Sequence, residues 1–107
     1  MSLTVDIYTM TKGFPEGEKF GLIGQMRRSS CSICSNIAEG AARDSEKVFI
    51  HFLNIAQGSL AELHTQLILS HRVGYVHSDL LDKSRKEIKS LKNGIFRFQE
   101  RLKSQQS

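Results

Sequence analysis

The 107 residues include no tryptophan, a single proline (Pro15) and only two cysteines, Cys31 and Cys34. Each shortage excludes something. With its one proline near the start, the chain after residue 15 is free to form long unbroken helices. Two cysteines at C-x-x-C spacing make no disulfide framework. No apolar run approaches the ~20 residues that a membrane helix needs, so no membrane association is expected. No basic segment followed by an apolar block marks a secretory signal, and a cytoplasmic location is expected. Strand-like alternation, internal repeats and low-complexity tracts are absent as well.

What is present is helical periodicity. At 39% hydrophobic composition the chain has enough apolar material for one domain with one core. Leu3, Ile7 and Met10, with Val5 and Tyr8, predict a short amphipathic helix over residues 3–12 that stops at Gly13. A compact loop over 13–19 leads to a second helix from about Phe20 to Glu39, with Gly40 expected as its C-terminal cap. Its apolar or small positions are Leu22, Met26, Ser30, Ile33, Ile37 and Ala41. A third helix is predicted from Ser45, capped by Ser45 or Asp44, to about Val73, where Gly74 ends it. Its apolar face takes Phe49, Phe52, Ile55 or Ala56, Ser59 or Leu60, Leu63, Leu67 and Ser70. The fourth begins at Ser78, with Asp79 and Asp82 near the positive end of its dipole. Leu81, Ser84, Ile88, Leu91, Ile95, Phe98 and Leu102 repeat along it at heptad spacing, and residues 104–107 are expected to fray. Four helices with short connections predict an all-α, antiparallel up-down-up-down four-helix bundle as a single domain over residues 1–107.

Charge is distributed unevenly. Residues 1–77 hold seven Lys/Arg against seven Asp/Glu, so the whole excess of +4 lies in the last helix. Lys83, Lys86, Lys89, Lys92 and Arg97 are the candidate nucleic-acid-binding residues, with a solubilising charged face as the alternative. Phe96 sits among them, off the heptad seam. An aromatic there either stacks on a base or is covered by another subunit.

The second helix carries another unusual stripe: Gln25, Arg28, Ser32, Asn36 and Glu39. Solvated faces are usually rich in Lys and Glu, so this stripe predicts specific hydrogen bonding across a helix interface. Folding the second and third helices back about Ala42 brings Gln25 and Arg28 towards Gly58, Ser59 and Glu62. A buried polar network of Gln25, Arg28, Asn36, Glu39, Glu62 and Gln66, with an Arg28–Glu62 pair, is expected to fix register.

These residues, taken with the pattern around them, resemble a known family. Phe14-Pro15, Gly21-Leu22, Gln25, Arg28, Ser32-Ile33, the run Ser35-Asn-Ile-Ala-Glu-Gly40 and Arg43 lead into Phe49, Phe52-Leu53, Ala56, Gly58-Ser59, Glu62-Leu63, Thr65-Gln66 and Gly74-Tyr75. Together they are similar to the 23S rRNA-intervening sequence proteins, small four-helix bundles. The likeness runs from about Ile7 to the end of the last helix. One departure stands out: the family usually has a longer first helix with a tryptophan, whereas this sequence opens Met1-Ser2-Leu3. The resemblance implies a homo-oligomer, a ring-shaped pentamer as in the related accessory protein of diversity-generating retroelements. It also implies association with RNA, DNA or a protein partner.

Enzymatic chemistry has weak support in the sequence. Cys31 and Cys34 lie inside a helix instead of at its N-terminus after a strand, and no second ligand pair accompanies them, so they are expected to be small buried hydrophobes. Neither a metal nor a cofactor is expected. Arg72-Val-Gly-Tyr-Val-His77 has the Arg-x4-His spacing of helical-bundle endoribonucleases, which makes Arg72 and His77 the rival, metal-independent ribonuclease reading. Val73 and Gly74 depart from that motif. The expected function is therefore non-enzymatic, with a purely structural scaffold as the alternative binding-class reading.

Overall fold

The computed structural model describes residues 2–105, apart from the side chains of residues 19 and 20. It is all-helical: α1 (Ser2–Thr11), α2 (Gly24–Ala41), α3 (Glu46–Arg72) and α4 (Ser78–Gln105). A 3-10 turn at Glu16–Glu18 and a π turn at Lys19–Ile23 join α1 to α2. Gly21, whose backbone leaves the helical region (φ −104°, ψ −113°), breaks that turn from regular geometry. At 27 and 28 residues, α3 and α4 are the longest helices, as their periodicity predicts. Of the tail expected to fray, Ser104 and Gln105 continue α4, while residues 106 and 107 lie outside the described residues, as does Met1.

Cross-helix contacts fix the up-down-up-down order. Thr4 Oγ1 meets Cys34 Sγ at 3.3 Å while Arg27 Nε donates to Thr11 Oγ1 at 2.9 Å, so α1 and α2 are antiparallel. Ser32–Ser59 and Met26–Ser70 hydrogen bonds do the same for α2 and α3. Between α3 and α4, Gln99 Nε2 donates to Asn54 Oδ1 at 2.7 Å and Gln57 Nε2 donates to the Lys92 carbonyl at 3.0 Å. Inside this frame Ile7, Met26, Ile33, Leu60, Leu63 and Leu67 are fully buried. Leu81, Ser84, Ile88, Ile95 and Leu102 of the α4 seam are buried too, whereas Leu91 and Phe98 are half-buried. On α3 it is Ala56 that faces the core, and Ile55 is exposed.

The helix ends show how local chemistry sets the topology. Ser45 Oγ accepts from the Val48 N–H and caps α3. At its other end Gly74 takes φ +90°, the left-handed conformation that a side chain disfavours. The Tyr75 and Gly74 N–H groups then donate to the Ser70 and His71 carbonyls, closing a Schellman motif. Tyr75 packs its ring 5.3 Å from that of Phe14, which ties this turn to the α1–α2 connection.

Gly40 corrects an expectation. It is not a cap but an interior position of α2, which continues to Ala41. A Cβ there would lie 2.8 Å from both Phe49 Cδ1 and Phe52 Cβ, so the glycine is what lets the start of α3 approach α2. Because α1 is 10 residues long in a bundle 49 Å in extent, it covers only one end. Beyond its first residues Ile37, Phe49, Leu53, Leu91, Ile95 and Phe98 line an open apolar cleft of about 210 Å³.

Candidate functional site

Two polar grooves run along the bundle, one on each side of α3. The groove between α2 and α3, about 580 Å³, is lined by Gln25, Arg28, Ser29, Ser32, Ile55, Ser59, Glu62 and Gln66. Folding about Ala42 thus brings together the residues the sequence pairs. Burial is where the expectation fails: Gln25, Arg28, Glu39 and Glu62 are exposed, and Asn36 and Gln66 are half-buried. The ion pairs among the described residues are Glu39–Arg43 and Glu100–Lys103, both on the surface, so Arg28 and Glu62 are unpaired. What does cross the interface is a chain of short side chains. Asn36 Nδ2 donates to Ser32 Oγ at 3.0 Å, and Ser32 Oγ shares a hydrogen bond with Ser59 Oγ at 2.7 Å. The physical reason is size. Serines at 29, 30, 32 and 59 fit between closely packed helices, and the longer Gln, Arg and Glu side chains are left at the groove's open edge.

The second groove lies between α3 and α4 and encloses about 530 Å³. Its walls are Arg85, Lys86, Lys89, Lys92 and Asn93 from α4, with Asp82 at one end and His64 from α3. Ile88 contributes the apolar part. His64 Nε2 is buried with no hydrogen-bond partner among the described residues. Phe96, 57% exposed, follows Asn93 by three residues and Lys89 by seven, so helical geometry places it on this same face.

The five candidate cations therefore divide between two faces. Lys86, Lys89 and Lys92 share the α3 side. Lys83 instead lines a hollow with Asp6 and Thr9 of α1, and Arg97 one with Ser2, Leu3 and Glu87. The α1 side also holds carboxylates. Burial raises the Glu87 carboxyl above the ordinary range, with the Asp6 charge adding to the effect and Lys83 opposing it. Sequence reasoning missed Arg85, Asn93 and His64 as groove residues. Arg85 and Asn93 were readable from the helical wheel of α4, but His64 gives no local signal and joins the site only through the α3–α4 register.

The remaining candidates are dispersed. Arg72 ends α3, His77 precedes α4, both are exposed, and no hydrogen bond joins them across the Gly74 turn. The neighbouring His71 instead meets Ser78 Oγ at 3.1 Å and staples that turn. Cys31 and Cys34, expected to be buried, are half-buried thiols against α1 with no disulfide between them, Cys34 Sγ lying 3.3 Å from Thr4 Oγ1 and Cys31 Sγ 3.3 Å from the Tyr8 hydroxyl. That hydrogen bond raises the Tyr8 hydroxyl above its ordinary value. Among the described residues no group of three or more His, Cys, Asp or Glu is placed to hold a metal ion, and no helix is long and apolar enough to cross a membrane.

Comparison with known proteins agrees with the fold. The family described as 23S rRNA-intervening sequence protein matches residues 1–97. A crystal structure of a protein of unknown function from the S23 ribosomal protein family of Bacteroides thetaiotaomicron superposes with a TM-score of 0.78 at 25% identity, covering 90% of this chain and 87% of that one. No curated protein matches the chain.

Proposed function

The chain belongs to the 23S rRNA-intervening sequence protein family, and on that premise we propose that it is a non-enzymatic, oligomeric helical protein that binds RNA or DNA along the α3-facing side of α4. The observation that carries this reading is the composition of the α3/α4 groove, where Arg85, Lys86, Lys89 and Lys92 stand against the single carboxylate of Asp82. Four cations on one face raise the local potential and attract phosphates. Each phosphate neutralised releases condensed counterions, so binding is steeply salt-dependent and largely indifferent to sequence. Lys83 and Arg97 contribute less to this field, because Asp6 and Glu87 lie beside them.

Assembly follows from the apolar surface left open. The cleft lined by Ile37, Phe49 and Phe98, together with Val5 at 63% exposure, is surface that a second copy would cover. Light scattering is expected to give several times the 12.1 kDa chain mass. The ribonuclease alternative has little geometric support, since Arg72 and His77 share no hydrogen bond. Metal-independent RNA cleavage that is lost on His77→Ala would reinstate it.

The test is fluorescence anisotropy against an RNA or DNA oligonucleotide over a salt series. Lys86, Lys89 and Lys92 replaced together by Gln should weaken binding and flatten the log–log salt slope by about 2 for a single strand, at about 0.7 per phosphate. Lys83→Gln with Arg97→Gln should change it much less. A parent that binds nothing at low ionic strength would leave the charge solubilising and favour the scaffold reading.

A further inference from the structure

We propose that the α3/α4 groove is built for a single strand, one phosphate lying against His64, Arg85 and Lys89 while a base stacks on Phe96. This rests on the reading that α4 takes nucleic acid, and it names the form of the ligand and the two residues that select it. Three observations converge on it. Phe96, 57% exposed, is the most exposed aromatic among the described residues, and its spacing puts it on the same helix face as Lys89 and Asn93. His64, whose Nε2 is buried without a partner among the described residues, lines the groove beside Arg85, Lys86, Lys89 and Lys92. Asp82 stands at one end of the groove and the Glu100–Lys103 pair lies about five turns further along α4, so carboxylates bound the cationic track from Arg85 to Lys92 at both ends.

The chemistry of each part selects a different feature of the ligand. A buried ring nitrogen with no partner is costly, and rotation of the His64 ring toward the groove would let its N–H donate to a phosphate oxygen. Arg85 and Lys89 supply charge without sequence information. Phe96 offers a flat π surface, which any base can cover, but only if that base is unstacked from its neighbours. A duplex keeps its bases inside and cannot reach it except at an end. At about 1.5 Å rise per residue Phe96 stands about 10 Å along α4 from Lys89, so the stacked base and the bound phosphate belong to the same short stretch of strand.

The experiment compares a twelve-nucleotide oligouridylate with an RNA duplex of the same length at low ionic strength, by anisotropy, using the intact chain. The parent should prefer the single strand. Phe96→Leu should lower single-strand affinity roughly tenfold while leaving duplex affinity and the salt slope unchanged, because stacking neutralises no phosphate. His64→Leu should weaken the single strand several-fold, and His64→Gln, which restores a donor, should recover part of the loss. Circular dichroism and light scattering establish that each variant keeps its helicity and mass. Equal affinity for both ligands, or a Phe96→Leu variant that binds like the parent, would refute the single-strand site while the lysine triple variant still reports on the groove. Absence of any binding by the parent would overturn both readings.

Discussion

Replacing Gly40 with alanine sets two well-characterised effects against each other at one position. Inside a helix, Gly→Ala is favourable by about 0.8–1 kcal/mol, because the glycine chain has more conformational freedom to lose on folding. Gly40 is next to the last residue of α2, so its share of that gain is smaller. Against it stands overlap: the new Cβ would lie 2.8 Å from Phe49 Cδ1 and from Phe52 Cβ. The Phe49 ring can turn away, but Phe52 Cβ is fixed to its backbone, so α2 and α3 must separate. Overpacking of this kind costs about 1–3 kcal/mol, and the net expectation is destabilisation of about 1–2 kcal/mol. At roughly 4–8 °C per kcal/mol for a chain near this size, the thermal midpoint should fall by about 4–16 °C. Gly58 and Gly94 are the controls, since a Cβ at either meets nothing within 4 Å. Gly58→Ala and Gly94→Ala should raise the midpoint by the helix-propensity term. Thermal melts followed by circular dichroism at one protein concentration read all three. If Gly40→Ala stabilises as the controls do, the close approach of α2 and α3 at Gly40 is wrong.

Three further substitutions test electrostatics. Glu87 has its carboxyl raised in the folded chain by burial and then by Asp6, so the protonated form favours folding. That contribution is fully present below the ordinary carboxylate range and is lost as pH rises through the raised folded value. Glu87→Gln should therefore be more stable than the parent at pH 7 and lose that advantage at pH 4, as read from urea midpoints. Arg28→Ala and Glu62→Ala should each change stability by no more than about 0.5 kcal/mol in the monomer. A loss of about 3–5 kcal/mol would instead signal the buried pair that the sequence pattern suggests.

Much of the bundle is legible because helical burial is periodic. Met26, Ile33, Leu63, Leu67, Ile88 and Ile95 fall on the buried faces that their spacing requires, and Ser45 and Gly74 mark helix ends through local chemistry that needs no knowledge of the rest. Gly40 reads as a cap for a related reason, since a glycine after a long apolar pattern usually is one. Its actual role depends on Phe49 and Phe52 across the interface. The polar stripe of α2 was legible as a set of neighbours but not as a depth. Whether Arg28 is buried or splayed depends on how closely the helices pack, which the serines decide. On α4 the cations are legible, yet Lys83 and Lys86, about 60° apart on the helix, fall on adjoining flanks, one bordered by α1 and the other by α3. His64 is the least legible of the site residues, its relation to Arg85 and Lys89 being created by the pairing of α3 with α4.

The central claim is that nucleic acid lies in the α3/α4 groove with a base against Phe96, and a zero-length crosslink tests it most directly. Ultraviolet irradiation of the complex with oligouridylate, followed by digestion and mass spectrometry, should place the adduct on the α4 peptide that contains Phe96, and Phe96→Leu should abolish it. Adducts concentrated at Tyr8 beside α1, or at Phe52 near the α2–α3 turn, would put the nucleic acid on another face and contradict the account.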